Sequence, residues 1–227
     1  MNHRVSQISA YLIYLLIISP VICFTYVMAT KVIPYLSFGH AVNFLSTKTD
    51  EVLDKPLFRT GFYIHIISSW LVLFAALPQF MPRLSAGYPG FHRGTGKVYV
   101  FTILAFAAPS GLILALYANG GIAAKTGFTL QCVVWWLATF TAYVKIRQHN
   151  YREHISWMVR SFAITLAAFS LRTEGYLMHY LLHTRPIETY VTITWLSWVG
   201  NWFIAELLLT IGLGKWLHKK YTQNLQP

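Results

Sequence analysis

The stretch that most constrains this chain is Tyr151–His183, YREHISWMVRSFAITLAAFSLRTEGYLMHYLLH. It exceeds the roughly 20 residues a helix needs to cross a bilayer, and it is largely apolar. Yet it carries His154, Arg160, Arg172, Glu174, His179 and His183. An ionisable group at the bilayer centre costs at least a few kcal/mol, so it normally faces protein or a wet cavity. At about 100° per residue, His154, Ser161, Thr165, Arg172, His179 and His183 fall within roughly 20° of one line along a helix. A polar stripe of that length is not a lipid-facing surface, so other helices have to enclose it.

Composition agrees with a membrane setting. The chain is 56% hydrophobic and only 11% charged, against about 25% charged in soluble domains. Its formal net charge of +11 does not point to nucleic acid: there is no basic run, and most Lys and Arg sit at the ends of apolar segments, as topology signals do. Cys23 and Cys132 both lie in apolar segments without CxxC spacing, which fits buried free thiols.

Six segments have spanning length, giving an expected all-α bundle of six transmembrane helices in one domain over residues 1–227. The helices are expected at about 8–29, 57–81, 98–118, 126–146, 156–182 and 192–213. The first is longer than a signal-peptide core and is read as a retained helix, kinked at Pro20. The second carries its own small and polar face, including Gly61, His65, Ser68, Ser69 and Gln79. The glycine-rich connector Pro82–Lys97 reads as a structured turn, and Pro109-Ser110-Gly111 predicts a kink in the third helix. With the N-terminus inside, ten Lys and Arg fall on the cytoplasmic side and six on the other, leaving Arg160 and Arg172 within the membrane. That count predicts an N-in, C-in topology.

At comparable depths on the second and fifth helices sit His65 and His179, the arrangement a bis-histidine haem b requires. His92 and His154 form a second pair where helices three and five begin. These histidines equally fit a structural or proton-handling network, and the scarcity of acidic or thiolate co-ligands argues against a non-haem metal site. Arg160 and Glu206 lie at matching depths and are expected to pair. Arg172, near the depth of Asn201, has no acidic partner in reach along its own helix, so it needs a carbonyl, Asn201, or an anionic ligand such as a quinone or lipid head group. No GxSxG, Walker, HExxH or CxxCH motif is present.

Three motifs occur in order: His92-Arg93-x-x-Gly96-x-x-Tyr99, His154-x-x-Trp157-Met158-x-Arg160-Ser161, and Trp198-Val199-x-Asn201 followed by Glu206. On these residues the chain resembles a family of multi-pass bacterial membrane proteins known only as a domain of unknown function, over roughly residues 60–210. The second motif has Ile155 where the family is expected to carry Arg. The resemblance implies a protein of the bacterial cytoplasmic membrane, in contact with the lipid bilayer, and transfers no activity. Three readings of function therefore stand together. One is redox-linked binding of haem b or quinone through His65, His179, Arg172, Asn201 and Gln79. A second is a non-enzymatic carrier or receptor for a small hydrophobic or anionic ligand. The third is a structural or assembly subunit whose network of His92, Arg93, His154, Arg160 and Glu206 sets the packing.

Overall fold

A computed structural model describes residue 19 and residues 21–37, 43–81 and 87–223. The expected first helix therefore lies half outside the described residues, as does its Pro20 kink. Its visible part is α1, Val21–Ser37. A 3-10 turn (Asn43–Thr47) and the short α2 (Asp50–Leu53) lead to α3, Pro56–Ala76, which a 3-10 turn extends to Phe80. There follow α4 (Pro89–Thr102), a π-helical turn (Ile103–Ala107), α5 (Ala108–Leu116) and α6 (Gly121–Arg147). The chain continues through α7 (Tyr151–Thr165), α8 (Ala167–Leu182), α9 (Pro186–Thr210) and α10 (Leu213–Gln223). No strand occurs among the described residues.

Local chemistry sets most of these ends. Pro56, Pro89 and Pro186 each open a helix, where the missing N–H costs nothing and φ is already helical. Gly120 precedes α6 at φ +84°, a left-handed conformation that glycine adopts freely. Asn150 caps α7 by accepting from the Glu153 amide at 3.2 Å. Lys145 and Arg147 close α6 at the negative end of its dipole.

Among the described residues, three helices are long and apolar enough to cross a membrane: Pro56–Gln79, Pro89–Leu116 and Gly121–Arg147. The pair α7 and α8, bent by 42° at Leu166, passes the same test when taken together. The helices pack through small residues. A Cβ on Gly61 would lie 2.8 Å from Ile113, and one on Gly111 would lie 2.8 Å from Cys132 Sγ, so these contacts are close to backbone thickness. The main core joins Val72, Ala76, Tyr99, Ile103, Ala107, Trp135 and Ile164. Phe74, Phe101, Leu181 and Phe203 remain exposed on the outside, as lipid-facing side chains do.

Two departures from the sequence expectation bear on the site. The Pro82–Lys97 connector is helical from Pro89 onward, so α4 starts nine residues earlier than residue 98. Gly90 and Gly94 meet nothing there, but Gly96 leaves space for Gln79, whose Oε1 would be 3.1 Å from an added Cβ. Second, the fifth helix is not continuous. It breaks at Leu166 without a proline or glycine to mark the place.

Candidate functional site

Both breaks free backbone carbonyls that hydrocarbon cannot satisfy, and polar side chains of neighbouring helices are spent on them. In a π turn each carbonyl looks five residues on, so Leu104 would look to Pro109, which has no N–H. Trp136 Nε1 donates to Leu104 O instead, at 3.1 Å. Ser110 Oγ donates to Phe106 O at 2.6 Å, and His65 Nδ1 lies 3.0 Å from Ala107 O. At the second break, Asn201 Nδ2 donates to Ala163 O at 3.0 Å and its Oδ1 accepts from Ser170 Oγ at 2.9 Å.

Between the breaks lies a fully enclosed hydroxyl network. The Tyr99 hydroxyl shares hydrogen bonds of 2.9 Å with both Ser161 Oγ and Thr165 Oγ1. Thr139 Oγ1 lies 2.7 Å from Ser161 Oγ, and Trp135 Nε1 donates to Thr165 Oγ1 at 3.0 Å. Tyr99, Thr139 and Ser161 are each 0% exposed. Ser161 and Thr165 belong to the sequence stripe and Tyr99 to the first motif. Thr139 was not recognisable: a threonine one turn after Trp135 in an apolar run looks like any other.

At the basic end, where Arg147, Arg152 and Lys215 lie, Arg160 meets Glu206 in a two-pronged ion pair, Nε to Oε1 at 2.6 Å and Nη2 to Oε2 at 3.0 Å. Its guanidinium also sits 4.6 Å from the Trp157 ring centroid, a cation–π geometry. His154 Nδ1 is 2.8 Å from Ala142 O. Gln79 Nε2 donates to His92 O at 3.1 Å and to Thr95 Oγ1 at 2.6 Å, tying the end of α3 onto the first turns of α4. Arg93 is exposed.

The opposite half is different. His65 on α3 faces the π turn and α5: its Nε2 is 3.4 Å from Ser69 Oγ, its Nδ1 is 3.5 Å from Ser110 Oγ, and a Cβ on Gly111 would lie 3.1 Å from its Cε1. His179 is exposed, its ring edge-on to Tyr180 with centroids 5.0 Å apart, on a helix that packs against α9. Arg172 Nη1 donates to Ala168 O of its own helix at 2.7 Å. Thus His65, Gln79, Arg172 and Asn201 all make bonds with backbone carbonyls. Among the described residues, no group of three or more His, Cys, Asp or Glu is placed to hold a metal ion.

Among the described residues, four buried polar atoms have no hydrogen-bond partner: Gln131 Oε1, Glu174 Oε2, Ser197 Oγ and Trp198 Nε1. Helix register puts them at one level. Along α8 and α9, which run antiparallel, Ser170 meets Asn201; one turn further on each same face come Glu174 and Ser197. Along α6 and α9, which run parallel, an added Gly127 Cβ would lie 2.7 Å from Thr194 Cγ2, and Trp195 Nε1 donates to Ala123 O at 3.1 Å. One turn further on come Gln131 and Trp198. Ser197 is 0% and Trp198 8% exposed. Glu174 stands out in the sequence as an intramembrane charge, but no spacing rule marks Gln131 or Ser197, because what distinguishes them is a missing partner.

Residues 62–209 match a family described as "Predicted membrane protein (DUF2306)". That span takes in every one of the residues above from His65 to Glu206. No curated protein matches the chain, and no solved structure does.

Proposed function

Since the chain belongs to the DUF2306 family of membrane proteins, we propose that it is a non-enzymatic binding protein or carrier for a small ligand, seated along α9, which packs against both α6 and α8. The observation that carries this reading is a contrast among polar side chains inside the bundle. Ser161, Thr165, Asn201 and Arg160 are spent on hydroxyls, carbonyls or an ion pair, while Gln131, Glu174, Ser197 and Trp198 present buried polar atoms that no described residue bonds. Each such atom costs about 1–3 kcal/mol when left alone, and a ligand of matching polarity recovers that cost. His65 and Asn201, on this reading, hold the bent helices in shape instead of touching a cofactor.

The remaining features of the proposal concern setting. Six spanning helices, with α9 (25 residues) and a first helix added to the four apolar spans, place Lys and Arg ten against six with N-terminus and C-terminus inside. The compartment is the bacterial cytoplasmic membrane. The test is an inventory of what purified protein carries. Native mass spectrometry of protein released from nanodiscs is expected to show a bound small molecule that Ser197→Ala and Trp198→Phe lose. A Soret band after haem-replete expression, abolished by His65→Ala, would replace this reading with haem binding.

A further inference from the structure

We infer that the basic end of the bundle, where α10 folds back onto α7 beside the α6–α7 turn, holds the headgroups of net-anionic phospholipids in the leaflet at that end. This surface is separate from the level of Ser197.

Two glycines place it. Gly212, at φ +104°, takes the left-handed conformation that glycine adopts freely, and it turns the chain where α9 ends. Gly214 then comes so close to α7 that an added Cβ would lie 3.2 Å from Ser156 Oγ. Leu217, 7% exposed, packs with Val159 of α7 and Ala205 of α9. So α10 lies against the ends of α7 and α9 instead of carrying α9 outward. Only Ile211 and Gly212 separate it from α9, which keeps it at headgroup depth. Lys215 and Trp216 are both exposed there. A helix with one packed apolar side and exposed Lys and Trp has the make-up of an interfacial element.

Charge selects the partner. Lys145 and Arg147 close α6, and Arg152 stands in the first turn of α7. The contact of His154 Nδ1 with Ala142 O, at 2.8 Å, holds these two helix ends together. Ser156 Oγ, beside Gly214, donates to Arg152 O at 3.2 Å, so Arg152 sits one turn from the start of α10. The acids in these segments are Glu153 and Glu206, and Glu206 is taken by Arg160. Among the described residues the ion pairs are Lys55–Glu51 and Arg160–Glu206, so Lys145, Arg147, Arg152 and Lys215 have no acid of the chain bound to them. The opposite end mixes its signs, with Lys48, Lys55, Arg59, Lys125 and Arg185 near Asp50, Glu51, Asp54 and Glu188. A surplus of cations at headgroup depth attracts acidic lipid. A zwitterionic headgroup brings its own ammonium and leaves that surplus in place, so net-anionic phospholipid is the partner that fits.

The test uses the full chain in nanodiscs of equal parts phosphatidylcholine and phosphatidylglycerol. Native mass spectrometry of the released protein is expected to show phosphatidylglycerol retained in excess, and the excess should shrink at high sodium chloride. At low salt, Lys215→Gln should cut the ratio of the two lipids about fivefold, and adding Arg152→Gln should cut it further. Lys55→Gln at the opposite end and Ser197→Ala should leave the ratio unchanged. Equal retention of the two lipids by the wild type would overturn the proposal, with no variant needed. An excess that neither Lys215→Gln nor the double change reduces would also overturn it, by placing the acidic lipid elsewhere. So would displacement of phosphatidylglycerol by inorganic phosphate at constant ionic strength, which assigns these cations to a soluble anion.

Discussion

Ser161 and Ser197 are both 0% exposed serines in long helices of the same bundle, yet their surroundings are opposites. Ser161 Oγ meets the Tyr99 and Thr139 hydroxyls at 2.9 and 2.7 Å, within a network that also holds Thr165 and Trp135. Ser197 Oγ meets no partner, nor do three polar atoms at its level. Polar residues in a membrane protein are thus not one class. Those that lock helices together are saturated by the chain itself, and those that remain unsaturated mark where something else belongs.

That contrast is open to breakage at several strengths. Tyr99→Ala should be the most damaging change, because it removes a fully buried ring as well as the hydroxyl that joins α4 to α7. A loss of about 3–5 kcal/mol is expected, seen as a lower unfolding midpoint in bicelles. Arg160→Met leaves the Glu206 carboxylate without its partner. Glu206 is 38% exposed at its side chain, so screening reduces the several kcal/mol of a fully buried pair to about 1–2 kcal/mol. Trp136→Phe strips the donor from Leu104 O and should cost about 1 kcal/mol, with faster amide exchange around the π turn as its local signature.

The smallest effect concerns pH. Lys48 lies outside the spanning helices, bonded to Tyr117 O and Asn119 Oδ1. Burial, aided by Lys125, lowers it from 10.5 to about 8. The unfolded chain then binds more protons between those values, so stability should rise with pH across the window and level off above it. Melting curves between pH 7 and 11 should show that rise in the wild type, weakened in Lys48→Met.

Much of this architecture was legible in the sequence, and the limits have physical causes. Apolar run lengths locate α3, α6 and α9 because hydrocarbon admits few other solutions. The Arg160–Glu206 pairing follows from depth counting, since both residues lie one to two turns from the same end. The break at Leu166 left no trace, because neither proline nor glycine produces it. Instead, Asn201 on the facing α9 donates to Ala163 O and accepts from Ser170 of α8, bonds on both sides of the bend that make it tolerable. For His65 the sequence revealed a histidine on a polar face, but its partner is a carbonyl beside Pro109 on another helix. The helical start at Pro89 was hidden by Gly90, Gly94 and Gly96, whose low helix propensity is outweighed by the tie from Gln79.

The most direct test is to compare Ser161→Ala with Ser197→Ala by reversible unfolding under identical conditions without added ligand. The account predicts that Ser161→Ala destabilises by about 1 kcal/mol, leaving buried partners unpaired. Ser197→Ala should be neutral or slightly stabilising, since it deletes a group that had no partner to lose. Equal losses for the two serines would contradict the division between a self-saturated and a ligand-taking level.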